Sequence, residues 1–152
     1  MQISSKLFQF NKENALIVVA GVFEADFYLA SAGEINKAAG FEFDKVKYEN
    51  EKSIYLKAVP ETGIRGGLSY DNDYQKIAIK EFTKNFGEVF NQTLKNEKID
   101  SIYILAPDKI ISLIPEMLPA SLKPKIKSKK EGNYLKAHPF EIIELIEELK
   151  MP

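Results

Sequence analysis

The stretch Gly63-Ile64-Arg65-Gly66-Gly67-Leu68-Ser69 is where residue types and spacing first suggest chemistry. Its clustered glycines open backbone conformations closed to other residues and let a ligand approach the main chain. Arg65 among them offers a planar guanidinium fork suited to a phosphate or a base edge. Of the 21 basic residues in the chain, Arg65 is the only arginine. The stretch is not a P-loop, since no Gly-Lys-Ser/Thr ending follows, and it lacks the Gly-x-Gly-x-x-Gly dinucleotide pattern. On spacing alone it reads either as a ligand-binding loop or as a flexible connector.

A second candidate is the concentrated positive charge of Lys123, Lys125, Lys127, Lys129 and Lys130. Strand alternation sets Lys125, Lys127 and Lys129 on one face, where they can track a phosphate backbone. The same lysines on an edge strand also discourage edge-to-edge association. Carboxylates give weaker signals. Asp71 and Asp73 form a pair for acid–base work, but acidic residues are expected in a first helical turn. Glu24 and Asp26 share one strand face with no histidine or third carboxylate beside them, which fits a solvated surface better than a metal site. His138 precedes Pro139 and reads as a helix cap rather than a base. With no cysteine and a single histidine, thiol nucleophiles, disulfides, cysteine-ligated zinc and two-histidine sites are excluded. No catalytic residue, metal ligand or cofactor is assigned.

The elements that must position these residues follow from length and pattern. A chain of 152 residues, 45% hydrophobic and 28% charged, is expected to form one globular domain over 1–152. Its 21 basic and 22 acidic residues argue against a globally basic nucleic-acid binder. The N-terminus has no basic segment followed by an apolar run, and Ala15 to Phe23 is too short to span a bilayer. A cytoplasmic protein without a membrane partner is the expectation. Ala15–Ala20 is a continuous β-branched run, as in a strand buried on both faces. Phe23 to Ala30 alternates as a half-buried strand, joined through Gly21, and Ser31-Ala32-Gly33-Glu34 reads as a turn. Further strands are expected over Ile35–Ala39, Phe41–Tyr48 and Ser53–Val59, with Phe41, Phe43 and Val46 inward.

After the Pro60–Ser69 loop, Asp71 or Asn72 can cap a helix. Tyr74, Ile77, Ala78, Phe82, Phe86, Val89, Phe90 and Leu94 give that helix an apolar stripe ending near Asn96. Ser101–Ala106 is a second buried strand, and a helix from Ile110 to Leu118 is expected to break at Pro115. Lys125–Lys129 reads as an edge strand, and Ile142, Ile143, Ile146 and Leu149 stripe the last helix. The fold class is α/β: a mixed β-sheet with an antiparallel N-terminal meander and a strand–helix–strand–helix C-terminal half.

The combined order of Leu16–Ala20, Ala25 and Phe27, Phe82, Ile102-Tyr103-Ile104-Leu105-Ala106-Pro107, Leu113–Leu118 and Glu141-Ile142 resembles the bacterial host-attachment protein family. That family is described as bacterial relatives of the archaeal and eukaryotic class-1 release factors. Arg65-Gly66-Gly67 before a long helix is similar to the Arg-Gly-Gly-Gln loop of the release-factor middle domain. The resemblance implies a release-factor middle-domain fold and contact with ribosome or tRNA through Arg65, Gly66 and Gly67, the lysines adding phosphate affinity. Leu68 stands at the family's glutamine position and cannot orient water, so the resemblance implies binding without peptidyl-tRNA hydrolysis. Two other readings accompany it: a carboxylate-dependent hydrolase using Asp26 or Asp71, and the interaction protein that the family name suggests.

Overall fold

Two runs of the chain are apolar at almost every position, and both are buried throughout: β1 (Ala15–Ala20) and β4 (Ser101–Ala106). They lie parallel, with Ala15 opposite Ser101 and Val19 opposite Leu105. The structure, a computed structural model, describes residues 1–42 and 63–150, with side chains described at all of these except 63–75. Strands β2 (Glu24–Ser31) and β3 (Glu34–Glu42) continue antiparallel from β1, and β5 (Ile126–Glu131) pairs parallel with β4. The sheet order is β3-β2-β1-β4-β5. An antiparallel meander thus joins a parallel half whose crossovers are helical. That is the fold class expected from the sequence.

The β2–β3 hairpin closes through Ala32 (φ 47°) and Gly33 (φ 78°), both in the left-handed region that matches strand twist. Glycine is at ease there and alanine is not. Ala32→Gly is therefore expected to raise stability by about 0.5–1 kcal/mol, the relief of a left-handed Cβ exceeding the entropy glycine adds to the unfolded chain. A urea denaturation midpoint below wild type would contradict this. Strand β3 is one continuous element through Glu42, rather than two strands parted at Gly40. Gly40 sits opposite Asp26, and a Cβ there would lie 2.9 Å from the Asp26 carboxylate. The expected strand over Ser53–Val59, the remainder of Phe41–Tyr48, and the inward positions Phe43 and Val46 lie outside the described residues.

Helix α1 (Gly63–Val89) and a wider π-type turn over Phe90–Leu94 cover one face of the sheet. Phe82, Phe86, Phe90 and Leu94 pack there on Phe27, Ile102 and Ile104, together with Ile110 and Ile114 from the next two helices. From Ala78 to Leu94 the periodic stripe is borne out, whereas Ile77 is exposed and the Tyr74 side chain lies outside the described ones. The start of the helix differs from expectation. Gly63–Ser69 has helical backbone, and Asp71 and Asn72 fall inside α1 rather than capping it. An interior glycine costs roughly 1 kcal/mol against alanine, but extending a helix already nucleated by a packed stripe is cooperative.

Beyond β4, Pro107 precedes α2 (Asp108–Ile111), and α3 (Ile114–Met117) follows. The break falls at Ser112-Leu113, with Pro115 in the first turn of α3, where a missing N–H is no loss. The other sheet face is covered by α4 (Pro139–Lys150) and by the N-terminal segment, with Ile142, Ile143 and Ile146 packed beside Ile3 and Phe10. Tyr28 and Ala30 are buried on this face too, so β2 is covered on both sides over its second half. His138 caps α4 as expected: Nδ1 accepts the Phe140 N–H at 3.1 Å and its carbonyl accepts the Ile142 N–H. Among the described residues no helix is long and apolar enough to cross a membrane.

Candidate nucleic-acid interface

The residues singled out by sequence fall at two ends of one helix. Arg65, Gly66 and Gly67 occupy the beginning of α1, on helical backbone rather than in a loop. At 1.5 Å rise per residue, Arg65 and Val89 are roughly 36 Å apart along the axis. The lysine segment belongs to the far end, because Lys125 lines a cleft with Phe90 and Leu94. The two sets are therefore separate surfaces, not one pocket. A ligand touching both has to be extended.

The lysines themselves divide. Lys125 lies outside the strand, closing a short 3₁₀ turn over Lys123–Lys125, and its Nζ donates to the Ile99 carbonyl at 2.7 Å. That bond ties the entry of β5 to the entry of β4. Lys127 and Lys129 are on β5, the edge strand, and both are exposed while Ile126, Ser128 and Lys130 are partly covered. The pairing with β4 slips by one residue between Ile102 and Tyr103, a local irregularity of the kind that turns edges away from further pairing. Two exposed ammonium groups along an edge suit a phosphate backbone, and neither forms an ion pair within 4 Å among the described residues.

Among the described residues the carboxylates do not assemble a catalytic site. Asp26 pairs with Lys37 at 2.9 Å on the β2–β3 surface. The Asp26 hydrogen bond holds the Lys37 ammonium above its ordinary pKa. Around them Glu24 and Glu42 face each other in register across the hairpin, in a shallow, mostly polar dip. No group of three or more His, Asp or Glu residues is placed to hold a metal among the described residues. Asp71 and Asp73 lie within α1, and their side chains are outside the described set.

One polar constellation has no local sequence signal. Glu13 accepts hydrogen bonds from Ser101 Oγ and from Lys150 Nζ, the latter at 2.8 Å, and Tyr103 OH lies 3.3 Å from its Oε2. Lys150 also sits 3.6 Å above the Phe8 ring. Burial pushes the Glu13 carboxyl up, but the hydrogen bonds from Lys150 and Ser101 outweigh it and hold the group below its ordinary value. Next to it, the Asn14 backbone N–H at 2.9 Å holds Asp100 below the usual carboxylate range. These groups join the N-terminal segment to β4 and α4, across 88 and 137 positions of sequence. Each of these side chains has a hydrogen-bond partner within the protein, so the cluster is a structural clasp.

No protein-family model matches the chain, and no curated protein does. Among solved structures it is similar to S. cerevisiae Dom34, a translation termination-like factor involved in RNA quality control pathways and interacting with Hbs1. The TM-score is 0.50 at 14% identity, covering 95% of this chain and 34% of Dom34. The fold is release-factor-like. The host-attachment family name has no family match behind it and stands on the sequence resemblance alone. The chain spans about a third of the Dom34 length, so the likeness concerns a domain rather than that whole factor.

Proposed function

We propose that this protein is a release-factor-like binding module that contacts ribosomal RNA or tRNA and does not hydrolyse peptidyl-tRNA. The observation that carries the proposal is the fold likeness to a translation termination-like factor across 95% of the chain. Arg65-Gly66-Gly67 at the start of the long helix supports it, as do the exposed Lys127 and Lys129 on the free sheet edge. The separation of the two surfaces suits an extended RNA backbone bridging them, with Arg65 making the directional contact and the lysines lending charge. Leu68 has no polar group to orient a water, so the module binds and does not cleave.

Ribosome co-sedimentation at moderate salt tests this reading. The protein is expected to pellet with ribosomes and to release as salt rises. Replacing Lys127 and Lys129 by alanine should flatten the salt dependence by roughly 0.7–0.9 in log–log slope for each phosphate that is no longer neutralised. Arg65→Ala should weaken association at every salt concentration. Absence of association, or association indifferent to all three changes, overturns the proposal.

A further inference from the structure

At the end of α1 opposite Arg65, the π-type turn Phe90–Leu94 and the segment entering β5 enclose a cleft of about 440 Å³. That volume falls within the range of small-molecule sites. Its base is closed by the buried side chains Phe90, Leu94 and Ile99 and the partly buried Leu122. Lys95, Lys98 and Lys125 stand around its rim, with Glu97 as the only acidic lining residue. Lys125 is already fixed by the Ile99 carbonyl at 2.7 Å, which leaves two of its three N–H donors for a ligand.

The bland account of these lysines is that cations gather where a helix presents its last carbonyls. A helix C-terminus carries roughly half a negative charge, which one lysine neutralises. Asp100 draws on Lys98 and Lys125 from outside the cleft wall, and its own carboxylate is engaged by Asn14 Nδ2 and the Asn14 backbone. Against the three lysines, Glu97, Asp100 and the helix end together subtract about two and a half charges, leaving roughly half a positive charge. The π-type turn closes α1 rather than interrupting it, a common ending for a helix, and it carries Phe90 and Leu94 into the cleft wall.

We infer that this cleft binds a phosphate monoester carrying a compact ring, of mononucleotide size. The phosphate is met by Lys95, Lys98 and the free donors of Lys125, and the ring lies over the apolar base. Glu97 and the exposed Ser121 supply an acceptor and a hydroxyl for sugar or base groups. The inference goes beyond the ribosome reading and stands without it, since neither Arg65 nor the strand lysines take part.

Isothermal titration with AMP, adenosine and inorganic phosphate tests it on the full chain. AMP should bind saturably, with adenosine and phosphate each weaker by roughly tenfold or more, since each keeps only one half of the recognition. Lys95→Glu with Lys98→Glu should weaken AMP binding at least about tenfold, and Ser121→Trp should block it. The charge-matched control Lys6→Glu with Lys136→Glu should bind AMP as wild type does, and circular dichroism establishes that each variant is folded. Competition by a 5′-phosphorylated oligoribonucleotide assigns the site to a strand end; no competition assigns it to a free nucleotide. No saturable AMP binding, equal binding of inorganic phosphate, or indifference to the cleft variants overturns the inference. Loss of ribosome association leaves this result unaffected, so the two readings fail separately.

Discussion

Phe86→Ala is expected to lower unfolding free energy by about 3–5 kcal/mol, the usual cost of deleting a buried aromatic side chain. Phe86 is fully buried and stands at the junction of helix and sheet, 5.1 Å from the Phe27 ring on β2 and 6.3 Å from Phe90, to which it is nearly parallel. Phe82 lies 6.2 Å away and touches Phe41 in turn. Removing the ring forfeits its transfer free energy and leaves a space lined by three other rings, which cannot close without dragging α1 towards the sheet. Against a total stability of about 5–15 kcal/mol for a domain of this kind, that loss is decisive. Ile77→Ala on the same helix provides the contrast: Ile77 is 45% exposed, and the change should cost no more than about 0.5 kcal/mol. Urea denaturation of both variants separates the outcomes. A Phe86→Ala cost as small as that of Ile77→Ala would mean that α1 is not seated on the sheet through its phenylalanine ladder.

The same helix shows where sequence reading succeeds and where it stops. Phe82, Phe86, Phe90 and Leu94 recur at four-residue steps, and that local period is enough to find both the helix and its buried stripe. β1 and β4 are equally legible, because a short β-branched run buried on both faces has few other uses. The start of α1 is not legible in this way. Glycines at 63, 66 and 67 argue locally for a loop, and only the cooperativity of a helix packed further along sets the outcome against that preference. Side chains meeting across the fold leave still less trace. By alternation Lys125 is one of three equivalent strand lysines, whereas the Ile99 carbonyl holds it at the mouth of a cleft. Lys95 and Lys98 are ordinary polar positions in the sequence, yet they line the same cleft as Lys125. The rim of that cleft is a product of chain crossing, and no spacing rule within one segment encodes it.

Glu13→Gln should cost about 1–2 kcal/mol at neutral pH, between the 0.2–1 kcal/mol of an exposed ion pair and the larger loss on breaking a buried one. The geometry places it between those limits: the Glu13 and Lys150 side chains are 19% and 30% exposed, neither dry nor freely solvated. The amide keeps an acceptor for Ser101 but gives Lys150 no counter-charge, while Lys150 stays over the Phe8 ring. The pH dependence follows from the direction of each shift. The folded Glu13 carboxyl titrates below its ordinary value of 4.5, so its contribution is complete above that value and is lost as pH falls through the folded pKa. Burial pulls the Lys150 ammonium down, but its hydrogen bonds to Glu13 and Tyr103 prevail and raise it above 10.5. Its contribution is complete below 10.5 and disappears as pH rises through the folded value. Stability should therefore run level between those limits in wild type and decline on both sides. In Glu13→Gln the level should be lower and the acid decline shallower, with the partly buried Asp100 carboxylate still contributing on the acid side. Thermal midpoints taken across pH for wild type, Glu13→Gln, Lys150→Met and the double variant complete a thermodynamic cycle. A coupling energy near zero at neutral pH, or an acid limb unchanged by Glu13→Gln, would show that the N-terminal segment is held to α4 by its apolar contacts alone.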